Sequence, residues 1–135
     1  MKTTASCTFQ ITGWDEKPSQ ILEGAPKLSH AKITQSYSGA IEGTSSVEYL
    51  MSYSADGTAC FAGFERVCAL VAGKRGTFVV RHSGSFSEGK ARSTWSVVEG
   101  AGTGDLVNLS GSGSYVAGHG ELAQVSFEYS FEPER

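Results

Sequence analysis

Two titratable side chains stand where the surrounding pattern calls for apolar ones. In ACFAGFERVCALV (59–71) Glu65 interrupts a run that otherwise reads as a buried strand, and in GTFVVRHSGSF (76–86) His82 does the same. A carboxylate and an imidazole within reach of each other can move a proton, with Glu65 as base or acid and His82 tuning it. They can equally satisfy each other and plug a core. Gln35, Tyr37, Tyr49 and Ser93 fall on the same face in the register argued below and would orient the polar end of a ligand. Met51, Phe61 and Trp95 would supply apolar walls, with Trp14 at the mouth. A few polar groups in an apolar surround is the composition of a small-molecule pocket.

These residues need elements to hold them. Period-2 alternation runs through almost the whole chain, and no useful length shows a period of 3.6. Eight strands are expected, at 3–13, 28–42, 46–54, 58–72, 76–87, 90–99, 111–118 and 122–132. Glycine-bearing turns separate most of them: EGTS (42–45), SADG (54–57), AGKRG (72–76), SEGK (87–90) and GHG (118–120). Two connections are longer. WDEKPSQILEGAPK (14–27) joins the first two strands, and GAGTGDLVNLSG (100–111) contains GDLVNL, which suits one short helical turn. The pattern specifies one all-β domain over residues 1–135, an eight-stranded antiparallel up-and-down β-barrel with almost no helix.

Turn chemistry sets the register. A SADG loop with Gly57 left-handed pairs Tyr53 with Ala59, Tyr49 with Gly63 and Val47 with Glu65. A Gly73–Lys74 turn then sets Glu65 opposite His82, Gly63 opposite Gly84 and Arg66 opposite Arg81, and a Glu88–Gly89 turn sets Trp95 opposite His82. One face gathers Val47, Tyr49, Met51, Phe61, Val67, Phe78, Val80, Phe86, Trp95 and Val97; the other gathers Glu48, Ser52, Arg66, Arg81 and Arg92. A slip of one residue would invert this sorting. The adjacency of Glu65 and Arg66 is then a consequence of the pleat, one inward and one outward. Cys7, Phe9 and Ile11 complete the inward set from the first strand. Leu50, Phe64, Arg66 and Arg81 form an outer apolar patch ringed by arginines, a candidate surface for a second copy of the chain, with Glu48 placed to bridge Arg66.

The 135 residues carry 39% hydrophobic and 19% charged side chains, 17 glycines and a net charge of -3. The absence of a Lys/Arg cluster argues against nucleic acid as a partner. No apolar run reaches membrane-spanning length, and the N-terminus has no signal-peptide core. Cys60 and Cys68 on one extended strand would lie about 26 Å apart, too far to bridge. With Cys7 they read as reduced thiols of a cytoplasmic protein. His30, His82 and His119 are scattered, so no metal site and no cofactor are expected. GTGDLVNLSGSG does not open a βαβ unit, and no GxSxG elbow occurs.

WDEKP (14–18), KLSHAKITQSYSGAIEG (27–43), SVEYLMSYSADGTACFAGFERV (46–67) and STWSVV with GAGTGDLVNLSGSG (93–113) together resemble the DUF3224 family, bacterial proteins of uncharacterised activity. The resemblance spans essentially the whole chain. It implies an eight-stranded barrel similar to that of allene oxide cyclase and brings no catalytic set. Barrels of this kind include plant cyclases, dirigent proteins and bacterial cyclases of natural-product pathways, a likeness of fold alone. Three functions stay open: a binder of a small, mostly apolar molecule in the barrel lumen, a cofactor-free isomerase or cyclase, and a filled barrel acting through its surface.

Overall fold

A computed structural model describes residues 2–20, 22–118 and 122–131. Its strands are β1 (Thr3–Gln20), β2 (Leu28–Gly39), β3 (Ile41–Tyr53), β4 (Ala59–Val71), β5 (Lys74–Ser87), β6 (Lys90–Val97), β7 (Thr103–Gly104), β8 (Ser110–Gly118) and β9 (Ala123–Ser130). Eight of them pair antiparallel in the order β4-β3-β2-β1-β9-β8-β6-β5, and β5 closes on β4. The two-residue β7 adds to β5 opposite Gly76 and Thr77. The expected eight-stranded barrel is present, with no helix among the described residues. His119 and most of the GHG turn lie outside the described residues.

Hairpin turns fix the wall. Gly57 N donates to Ser54 O at 3.0 Å, and the resulting loop sets Tyr53 opposite Ala59 and Val47 opposite Glu65, as expected. The β5–β6 turn is Glu88–Gly89, with φ of 53° and 76°, and it sets His82 opposite Trp95. The β4–β5 turn corrects the expectation. Its central pair is Ala72–Gly73, φ 52° and 79°, not Gly73–Lys74. A two-residue hairpin with both φ positive matches strand twist best with glycine second, the arrangement Glu88–Gly89 also adopts. The register therefore moves by two residues. Glu65 faces Val80, His82 faces Gly63, Phe61 faces Gly84, and Arg81 faces Phe64 while Arg66 faces Val79. A shift of two keeps the parity of every side chain, so the inward and outward sets survive except at Phe86, which is 37% exposed one residue before the end of β5. It also removes the expected juxtaposition of two arginines.

Other boundaries differ for physical reasons. The β2–β3 hairpin turns at Gly39–Ala40, so EGTS lies inside β3, with Tyr37 opposite Gly43. The 14–27 segment is not a free connection: β1 runs on to Gln20 against β2, with register breaks at Ile11/Gly13 and Pro18/Gln20. β9 pairs with β1 only from Thr3 to Phe9, so among the described residues β1 beyond Phe9 is paired on one side only. An edge is where Pro18, which has no N–H to give a ladder, is tolerated. Ile11, expected inward and opposite the buried Gln35, is 46% exposed just past the last residue of β1 that β9 pairs. GDLVNL forms successive hydrogen-bonded turns (Leu106 N to Thr103 O, Leu109 N to Leu106 O) rather than a helical turn, and Leu106 and Leu109 are buried in the larger core cluster.

The inward side chains form two apolar clusters. The smaller holds Ala31, Ile33, Val47, Tyr49, Met51 and Phe61; the larger includes Phe9, Val67, Phe78, Trp95, Tyr115 and Phe127. Glycines make room for the rings. A Cβ on Gly113 would sit 2.4 Å from Cζ2 of Trp95, its cross-strand partner. Such ring-over-glycine pairs accompany strong bending of a barrel wall.

Candidate functional site

The buried polar residues include Gln35, Ser45, Glu65, His82 and Ser93. Glu65 is 1% exposed and His82 2%. Glu65 Oε1 lies 2.6 Å from His82 Nε2, reaching diagonally from β4 to β5. Tyr37 OH, two strands away on β2, donates to Glu65 Oε2 at 2.6 Å. His82 Nδ1 is 2.9 Å from Ser93 Oγ, which also lies 3.2 Å from Thr94 O. Ser45 Oγ donates to Gln35 Oε1 at 3.3 Å. No buried side-chain nitrogen or oxygen among the described residues lacks a partner. A buried carboxylate persists only when paired and hydrogen-bonded in this way.

Aromatic side chains span the lumen beside this network. Tyr49 on β3 and Tyr115 on β8 meet hydroxyl to hydroxyl at 3.2 Å. The His82 ring packs edge-on against Tyr49, centroids 5.4 Å apart, and lies 5.9 Å from the Tyr115 ring. Burial and the nearby Glu65 charge push the Tyr37 phenol well above its ordinary pKa. Burial first, then Tyr115, does the same to Tyr49. Burial pushes the Cys7 thiol up to about 11.

A large concavity lies on the outside of the wall. A groove of about 750 Å³ crosses β2–β6 along the outward side chains of His30, Glu48, Leu50, Ala62, Phe64 and Arg81, with Ser83, Thr94 and Ser96 at its β5–β6 side. Leu50 is 65% and Phe64 55% exposed. The groove runs over Gly63, where β3 and β4 approach so closely that a Cβ would meet Glu48 O at 1.8 Å. Tyr49, His82 and Trp95 also contribute to its lining, although their side chains are buried on the inner face of the same stretch of wall. Glu48 Oε1 is 3.0 Å from His30 Nε2, so Glu48 is engaged by His30 and not, as expected, by Arg66.

The sequence-derived residues thus divide among three places. Glu65, His82, Gln35, Tyr37 and Ser93 come together in the buried network. Tyr49, Met51, Phe61 and Trp95 pack around it in the two apolar clusters. Leu50, Phe64 and Arg81 line the outer groove, and Arg66 lies one pleat further along β4. Trp14 joins neither site. It is half exposed on the one-sided part of β1, and its Nε1 donates to Glu16 Oε1 at 3.2 Å.

Glu16 is the centre that sequence reasoning missed. Ser29 Oγ and Tyr53 OH (2.6 Å) both donate to its Oε2, and Lys27 Nζ is 3.8 Å away and stacks 4.3 Å above the Tyr53 ring. Burial, which raises its pKa, is outweighed by the donors Ser29, Tyr53 and Trp14 and by the Lys27 charge, so the carboxyl lies below its usual value. The signal was hidden because WDEKPSQ reads as a polar loop; only its pairing with β2 brings Glu16 opposite Ala31 and within reach of β3. A second, smaller hollow of about 220 Å³ lies between Ser19, Leu28, Met51 and Cys60.

Among the described residues no group of three or more His, Cys, Asp or Glu side chains could hold a metal ion. No helix there is long and apolar enough to cross a membrane.

A search of curated proteins returns no match. Among solved structures, the chain is similar to a protein with unknown function from the DUF3224 family of Shewanella oneidensis MR-1. That likeness has 24% sequence identity, covers 98% of this chain and 100% of that one, and has a TM-score of 0.79. At this identity it shows the shared barrel. The family model described as "Protein of unknown function (DUF3224)" matches residues 5–129, and the chain belongs to that family.

Proposed function

We propose that the protein binds a small, mostly apolar molecule, and that it does so in the groove on the outer wall of β2–β6 rather than in the lumen. One observation carries this reading: Phe64 and Leu50, both more than half exposed, floor a hollow of about 750 Å³. Ligand pockets run from roughly 300 to 1,000 Å³ and are mostly apolar. A lumen ligand would have to part Tyr49 from Tyr115 and open the Glu65–His82 network. An isomerase or cyclase resembling allene oxide cyclase would need Glu65 or His82 against its substrate, and both are buried. The same Leu50–Phe64 face would serve a second copy of the chain; the hollow's ligand-like volume favours a small molecule. Three free thiols fit a reducing compartment, and we place the protein in the cytoplasm.

The test is fluorescence titration with the neutral dye N-phenyl-1-naphthylamine. Phe64→Ser weakens binding about tenfold or more, while Met51→Leu, inside the barrel, leaves it unchanged. Binding that responds to Met51→Leu and not to Phe64→Ser would place the ligand in the lumen and overturn the proposal. A dimer on light scattering that Phe64→Ser splits, with no dye bound, would assign the face to a second copy.

A further inference from the structure

The groove is electrically asymmetric. Across the wall its outward residues run Glu48, Phe64, Arg81 and Ser96, each opposite the next on neighbouring strands. Glu48 is engaged by His30 at 3.0 Å on the β2–β3 side. Phe64 stands between Glu48 and Arg81, so the backbones of the two charged residues are two strand spacings, roughly 9.6 Å, apart, and they form no ion pair. The Arg81 side chain makes no hydrogen bond or ion pair among the described residues, yet it lines the hollow, with the hydroxyl-bearing Ser83, Thr94 and Ser96 beside it. One wall therefore offers an unspent planar cation, and the floor offers Leu50, Ala62 and Phe64.

We infer that the ligand of this groove is an amphipathic organic anion, lying with its apolar body over Phe64 and Leu50 and its charged group on Arg81. The inference rests on the groove being the binding site. A guanidinium presents paired N–H donors to a carboxylate, sulfonate or phosphate, and such charge-assisted bonds are stronger beside apolar surface than in open water. Glu48 repels an anion from the opposite side, so only one orientation is favoured. A neutral apolar ligand would leave Arg81 partly covered and unpaired, which disfavours it.

Two dyes that differ by one sulfonate test this: 1-anilinonaphthalene-8-sulfonate and N-phenyl-1-naphthylamine. Affinities for both are measured on the wild-type protein and on Arg81→Gln, at low and high salt. The ratio of anionic to neutral affinity should fall about tenfold in Arg81→Gln. Added salt should narrow the wild-type ratio. A ratio unchanged by Arg81→Gln overturns the inference, as does a variant that weakens both dyes equally; in either case groove binding stands. Failure of both dyes to bind the wild-type protein removes the groove as a site, and the inference with it.

Discussion

Glu65 and His82 are hydrogen-bonded at 2.6 Å although they are not cross-strand partners; Val80 is opposite Glu65 and Gly63 is opposite His82. The contact is a diagonal one, made where Gly63 leaves the position across from His82 without a side chain. With Tyr37 and Ser93 it ties β2, β4, β5 and β6 together through one carboxylate and one imidazole.

This tie makes the pair a stability element. His82→Ala strips Glu65 of a partner inside the barrel and should cost about 3–5 kcal/mol. The double variant Glu65→Leu/His82→Leu, which buries no charge, should recover most of that loss. Urea unfolding of the two proteins checks it; a single variant within about 1 kcal/mol of wild type would contradict a buried, interdependent pair.

Gly113 is a packing position. Its Cβ would lie 2.4 Å from Trp95 Cζ2 and 2.7 Å from Ser126 O. Gly113→Ala should therefore destabilise by about 2 kcal/mol and shift the Trp95 emission as the ring is displaced. Unaltered stability and emission would show that the wall at β6–β8 gives way freely.

How much of this was legible follows from what a sequence pattern can encode. Parity was legible: alternation put Glu65 and His82 inside and Phe64 and Arg81 outside, and a two-residue register error could not disturb that. The exact partner was not, since Gly73 fits either central position of a tight turn. The outer wall's concavity was not legible either, because alternation records which face a side chain takes and not how the wall curves beneath it. Glu16 was missed because Pro18 and its charged neighbours imitate a loop where they form a strand paired on one side.

Glu16 should govern acid stability. Its folded pKa is depressed, so its contribution is present above the ordinary carboxyl value and is lost as pH falls through the folded value. Glu16→Gln should lower stability at neutral pH by about 2 kcal/mol and flatten the acid limb of a stability–pH profile. Parallel profiles for variant and wild type would contradict this.

The alkaline side belongs to the buried phenols and thiol. Tyr37 and Tyr49 are raised well above the usual value and Cys7 to about 11, so their contribution is present below the ordinary values and lost as pH rises past them. In the folded protein Tyr37 and Tyr49 should stay protonated until the barrel opens, giving a late, cooperative step in phenolate absorbance. At mildly alkaline pH a thiol reagent should modify the exposed Cys60 and Cys68 and spare Cys7. A smooth titration of every tyrosine, or prompt labelling of Cys7, would contradict the packed interior.

The most direct measurement is native mass spectrometry of the protein and of Phe64→Asp, each purified gently from the protein's own host and matched for folding by circular dichroism. A reproducible added mass of a few hundred daltons on the wild-type chain, absent from Phe64→Asp, is the expected result. The same added mass on both proteins, or none on the wild type, would contradict a ligand held against Phe64 on the outer wall.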